Sequence, residues 1–145
     1  MVHALREAWR VLEPDGILVD LRPATVHRRV GVLRAGRCQP LGTMREKFAD
    51  DYAANRAVAE AVRRGWFKAV HRLRFGCNRT MDNLAEFRAW LDQSVTLGKL
   101  PPHEWLVERV VRAVRAGTGR AKIVVKGPLD LRVLRRRETA GRSKT

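Results

Sequence analysis

Cysteine is scarce in this 145-residue chain: Cys38 and Cys77 are the only two, and neither stands at a CxxC or metal-ligand spacing. That excludes a disulfide scaffold, and the expectation is two reduced, mostly buried thiols. The four histidines, His3, His27, His71 and His103, form no pair at a ligand spacing with one another or with a cysteine, so no metal site is expected. No apolar run approaches the roughly 20 residues that a bilayer span requires. The opening MVHALREAWR is charged where a signal peptide would be apolar, and a cytoplasmic protein without membrane contact is expected. Aromatic residues are only 6% of the chain, which favours core packing over stacking platforms as their use. Glycine never occurs as GxGxG between a strand and a helix. Gly117-Thr118-Gly119 follows a helical pattern and precedes a strand, the wrong order for cradling a nucleotide.

Acid is the other shortage. Fifteen Asp and Glu face thirty Lys and Arg, a net charge of +15 that attracts polyanions in a salt-sensitive way. The arginines are spread over every element, with one dense cluster at Arg135-Arg136-Arg137, so a basic solvated surface accounts for most of them. Hydrophobic residues at 45% and charged residues at 31% are a globular balance, and the length suffices for a core without staples.

The patterning is regular. Leu5, Ala8, Trp9 and Leu12 share one face of a helix over residues 2–12, which Pro14-Asp15-Gly16 stops. Ile17, Leu18 and Val19 form an apolar run expected of a strand covered on both faces, ended by Pro23. Residues 26–44 suggest a hairpin turning at Ala35-Gly36, with a return weakened by Pro40 and Gly42. A helix over 46–64 starts acidic and ends basic before Gly65. Residues 66–75 alternate as a half-buried strand with Phe67, Ala69, His71, Leu73 and Phe75 inward. Asn78, Arg79 and Asp82 then fall in a polar turn, with Asp82 the expected N-cap of a helix carrying Leu84, Phe87, Trp90 and Leu91. After a loop at 98–102, Trp105, Leu106, Val110, Val111 and Val114 line a third long helix. Residues 121–136 close as a strand pair bent at Gly127-Pro128. The expected class is α/β or α+β, a mixed sheet of about five strands with three to four helices, in one partial domain over 1–137 and a basic disordered tail over 138–145.

The run LREAWRVLEPDGILVDLRP, Leu5 to Pro23, resembles the helix-turn-strand that enters the fifth strand of class I S-adenosylmethionine-dependent methyltransferases of the type 11 kind. The later helix and strands are similar to the sixth and seventh strands that close that Rossmann-like fold, with an added hairpin and helix. The seventh strand of the family runs against the others at the sheet edge. The family builds its cofactor site in the preceding half, whose glycine-rich turn has no counterpart here. The resemblance therefore implies a closing segment that contributes sheet closure and a substrate-side wall. It is not expected to be catalytic alone, and S-adenosylmethionine would bind only with a partner half. The opening strand should find a parallel neighbour, and an exposed strand edge should promote self-association or capture of a cofactor-binding partner.

Five residues are substrate-side candidates: Asp20 and Arg22 at the end of the first strand, His71 in the inward register, and Asn78 and Arg79 in the polar turn. Each has a plainer use, as a surface ion pair, a hydrogen-bonded core imidazole and a helix-capping turn respectively. A free-standing enzyme using His71 with Asp20 or Asp82 ranks last. The alternative function is a small basic nucleic-acid-binding protein, for which Trp66 and Phe67 beside Lys68 and Arg72 offer an aromatic-basic platform. Whether the chain is an enzyme stays open at this point.

Overall fold

A computed structural model describes residues 1–138 of the chain. Of the expected basic tail, 138–145, all but Glu138 lies outside the described residues. The elements follow in the order α1 (Val2–Val11), β1 (Ile17–Pro23), β2 (Arg29–Arg34), β3 (Arg37–Thr43), α2 (Ala49–Arg63), β4 (Phe67–Met81), α3 (Leu84–Thr96), α4 (Glu104–Arg115) and β5 (Ala121–Arg136). The class is α/β, with four helices and a five-stranded sheet among the described residues, as anticipated. Strand order is β1-β5-β2-β3, and β4 also pairs with β5. Contacts divide the chain into two compact units, one of residues 1–25, 48–75 and 129 onward, the other of residues 26–47 and 76–128.

In the first unit, α1 lays Leu5, Ala8, Trp9 and Leu12 against a core of Val58, Ala61, Phe67 and Leu134. The i, i+3, i+4 spacing is what puts those four side chains on one face. Trp9 stacks on Trp66 at 6.4 Å, and its indole N–H donates to the carbonyl of Arg137 at 3.2 Å. The backbone N–H groups of Arg136 and Arg137 donate to Gly16 and Trp66, which ties the end of β5 to the turns after α1 and α2. β1 runs antiparallel to β5 in an unbroken register from Ile17↔Arg135 to Pro23↔Leu129.

The second unit has the larger core, in which Val30, Met44, Phe87, Leu106, Val110 and Ile123 are almost wholly buried. The hairpin of β2 and β3 turns where expected. Ala35 and Gly36 both take positive φ, 48° and 74°, which matches the twist of a two-residue hairpin turn. Pro40 is tolerated because β3 lies at the sheet edge, where its missing N–H breaks no inward ladder. Arg34 closes the end of α4, donating to the carbonyls of Ala113 and Val114 at 3.2 and 3.0 Å and to those of Thr118 and Gly119 at 3.0 and 2.8 Å. Those carbonyls lack helical partners, and a guanidinium there also suits the negative helix end.

Several expectations are corrected. β1 has β5 as its registered neighbour, antiparallel, and a parallel neighbour for it is absent among the described residues. β5 is an interior strand, not an edge. It is also one strand rather than a pair: the β2 register ends at Lys126 and the β1 register begins at Leu129, so Gly127 and Pro128 fall between the two ladders. β4 runs on to Met81 through the segment read as a polar turn. The cap of α3 is Asn83, whose Oδ1 accepts from the N–H of Glu86 at 2.9 Å while Glu86 accepts from the N–H of Asp82. The arrangement differs from a capping box in that Glu86 reaches one residue past the cap, to Asp82, rather than to the N–H of Asn83 itself. Asp82 instead pairs with Lys122 at 2.9 Å. Glu46, read as the acidic start of a helix, precedes α2 and binds Arg28 at 2.5 Å. Cys38 is half-buried and Cys77 exposed, both as free thiols.

Burial departs most from expectation. β1 is not covered on both faces: Ile17, Val19 and Leu21 are 53%, 55% and 51% exposed, while Leu18, Asp20 and Arg22 alternate with them in partial burial. On β4 only Phe67 and Met81 are buried, so the stretch from Ala69 to Phe75 is not half-buried and His71 is exposed. Alternation in a sequence shows which residues share a face, and a covering layer must be supplied separately.

Ala35 sits in the left-handed region, which costs a β-carbon-bearing residue about 1 kcal/mol. Ala35→Asn creates the Asn-Gly pair favoured in such turns and should raise stability by about 0.5–1 kcal/mol. A chemical-denaturation midpoint unchanged or lowered would contradict this assignment of the turn.

Candidate functional site

The densest polar constellation lies in the first unit and grows from the register of β1 on β5. Strand alternation places Asp20 and Arg22 on the same side as Leu18, and pairing sets Arg132 opposite Asp20 and Asp130 opposite Arg22. Arg22 grips Asp20 with both branches of its guanidinium, Nε to Oδ1 at 2.8 Å and Nη2 to Oδ2 at 2.7 Å. Two residues apart on an extended strand is the spacing that allows this fork. Arg22 Nη2 also donates to Asn55 Oδ1 at 3.1 Å, and Arg132 Nη2 donates to the same oxygen at 2.9 Å. Asn55 reaches the strands from the middle of α2.

Asp130 is the one charged residue buried in the described chain. It accepts from Arg74 Nε at 2.6 Å and Nη2 at 2.9 Å, and from Arg72 Nη2 at 3.3 Å. The Arg74 hydrogen bond, outweighing burial, holds its carboxyl down at about 2, and Arg72 adds to the effect. Arg74 is raised in turn by Asp130. Arg132 is lowered from its ordinary value, first by desolvation and then by the positive charges of Arg22 and Arg72, and it stays protonated all the same. Among the described residues no carboxylate lies within ion-pair range of Arg132.

A cavity of about 530 Å³ opens beside this cluster, lined by apolar residues that include Val58, Val62 and Leu134 and by His71, Arg72 and Arg132. Its walls come from α2, β4 and β5.

The sequence candidates divide accordingly. Asp20 and Arg22 are partners in the cluster, and His71 reaches the cavity as an exposed strand residue rather than a buried core imidazole. Asn78 and Arg79 belong to the second unit, exposed on the latter part of β4. The aromatic-basic platform fails as drawn, because Phe67 is wholly buried and Trp66 lies between Trp9 and the guanidinium of Arg64. Sequence reasoning missed Asn55, Asp130 and Arg132. The signal was present in LDLRVL, where Asp130 and Arg132 alternate with apolar residues on the face that Leu134 buries. Among the described residues, no group of three or more His, Cys, Asp or Glu side chains is placed to hold a metal ion. No described helix is long and apolar enough to cross a membrane.

The chain matches no protein-family model, no curated protein and no solved structure.

Because Asp130 is held below its ordinary 3.8, its contribution to stability is complete above about pH 4 and disappears as pH falls toward 2. Asp130→Asn should remove that acid-sensitive component and lower stability at pH 7. The loss should be about 1 kcal/mol rather than the several of a fully buried pair, since the Arg72 and Arg74 side chains are 61% and 48% exposed. Thermal melts from pH 7 to pH 2 decide it: equal acid sensitivity in wild type and variant would remove Asp130 from this role.

Proposed function

We propose that the chain is a closing segment of a class I methyltransferase-like fold, supplying the end of the sheet and part of a substrate wall to a separate cofactor-binding half. The observation that carries this reading is the unfinished side of β1. Its Ile17, Val19 and Leu21 form an exposed apolar row on one face, and its edge away from β5 has no strand partner among the described residues. A strand bare on one edge and greasy on one face is an incomplete sheet, and covering the exposed half of three such side chains is worth about 1 kcal/mol each. The antiparallel course of β5 against β1 agrees with a seventh strand running against a fifth. Methyl transfer itself is attack by a substrate nucleophile on the sulfonium carbon of S-adenosylmethionine. The reading gives this chain the task of positioning, with Asp20 and Arg22 on β1 as its substrate-side residues.

Two measurements test it. Calorimetric titration of the isolated chain with S-adenosylmethionine should give no binding heat, and stoichiometric uptake would overturn the division of labour. Light scattering at micromolar concentration should give a mass above the 16.5 kDa of one chain. Val19→Lys should weaken that association at least about tenfold, since it replaces a buried contact with a charge. A wild-type monomer would argue that β1 needs no partner.

The second reading, a nucleic-acid-binding protein, is favoured by one feature: in the first unit β4 exposes Lys68, Arg72 and Arg74 along a single strand. It requires oligonucleotide affinity that falls steeply with salt, and affinity flat between low and moderate salt would dismiss it.

A further inference from the structure

The cluster on the α2 side of β1 and β5 carries more positive charge than it neutralises. Arg22, Arg72, Arg74 and Arg132 converge there against Asp20 and Asp130 alone, which leaves two guanidinium charges uncompensated. The imbalance is localised. Arg74 and Arg72 share Asp130, Arg22 holds Asp20, and Arg132 has a neutral amide oxygen as its hydrogen-bond partner, with the attraction of Asp20 and Asp130 outweighed by desolvation and by Arg22 and Arg72. That oxygen, Asn55 Oδ1, accepts from Arg22 and Arg132 together, so two like charges are held on one uncharged acceptor in a partly desolvated place. Such an arrangement is electrostatically unsatisfied in the free protein, and an anion satisfies it.

The cavity beside Arg132 defines the shape of that anion. Arg72 and Arg132 line it together with the apolar Val58, Val62 and Leu134. Its volume of about 530 Å³ lies in the range of small-molecule sites, with few polar groups set in an apolar lining. We propose that this cavity binds a small amphipathic anion, with a carboxylate or phosphate head on the guanidinium groups of Arg132 and Arg72 and an apolar body along α2. A planar fork suits either head group, since both present paired oxygens. This proposal stands apart from the methyltransferase-like reading, because S-adenosylmethionine binding and anion binding are measured independently.

The test uses the full chain titrated calorimetrically with sodium octanoate, octyl phosphate and, as the neutral control, 1-octanol. Octanoate or octyl phosphate should bind at least about tenfold more tightly than 1-octanol, and the tighter of the two identifies the head group. Arg132→Met should reduce that affinity at least about tenfold while leaving the ligand-free melting temperature unchanged or raised, because it removes a repelled charge. A purely structural arginine would lower the melt instead. Should Arg132→Met not fold, Arg72→Met serves, since Arg74 retains Asp130, and about threefold weaker binding is expected. The proposal is overturned by equal affinity for 1-octanol, by no anion binding at millimolar concentration, or by undiminished binding in the arginine variants.

Discussion

Backbone hydrogen bonding along β5 is the constraint on which the rest of this molecule depends. Among the described residues every strand pairing except that of the β2–β3 hairpin is made to it: β1 along Leu129 to Arg135, β2 along Ala121 to Lys126, and β4 as well. An extended run of sixteen residues must satisfy its N–H and C=O groups somewhere, and three partner strands do so. The side chains follow from that ladder. Register with β1 decides that Arg132 meets Asp20 and that Asp130 meets Arg22, and so fixes which charges face α2.

Local rules were legible in the sequence. Helix α1 could be read from Leu5, Ala8, Trp9 and Leu12, the hairpin from Ala35-Gly36, and α4 from Leu106 and Val110 behind a double proline, because periodicity and turn chemistry act over a few residues. What escaped reading depends on distant partners. Gly127-Pro128 looked like a break and is not one, since its effect depends on whether a neighbour needs the missing N–H at that point. Gly76 to Thr80 looked like a turn because its residues are small or polar, yet the segment is strand. Its pairing partner, β5, lies some fifty residues further on.

The site was half legible for a related reason. Asp20 and Arg22 announce themselves by their spacing on one strand. Asn55 is indistinguishable in sequence from any other polar helix position until α2 is laid across β5. Asp130 and Arg132 were obscured by their neighbours, since the apolar Leu129, Leu131 and Val133 alternate with them along the strand. The structure gives the covered face to Leu134 and the polar residues, because α2 packs on that side.

Pro40 closes one route that a sheet with unfilled sides leaves open. At the outer strand of the hairpin it withholds the amide that an incoming chain would need, and the bulge between Val30 and Gly31 throws Leu41 out of step just beside it. Edge-to-edge addition of further chains is therefore obstructed at β3, and with it one way of extending the sheet copy by copy.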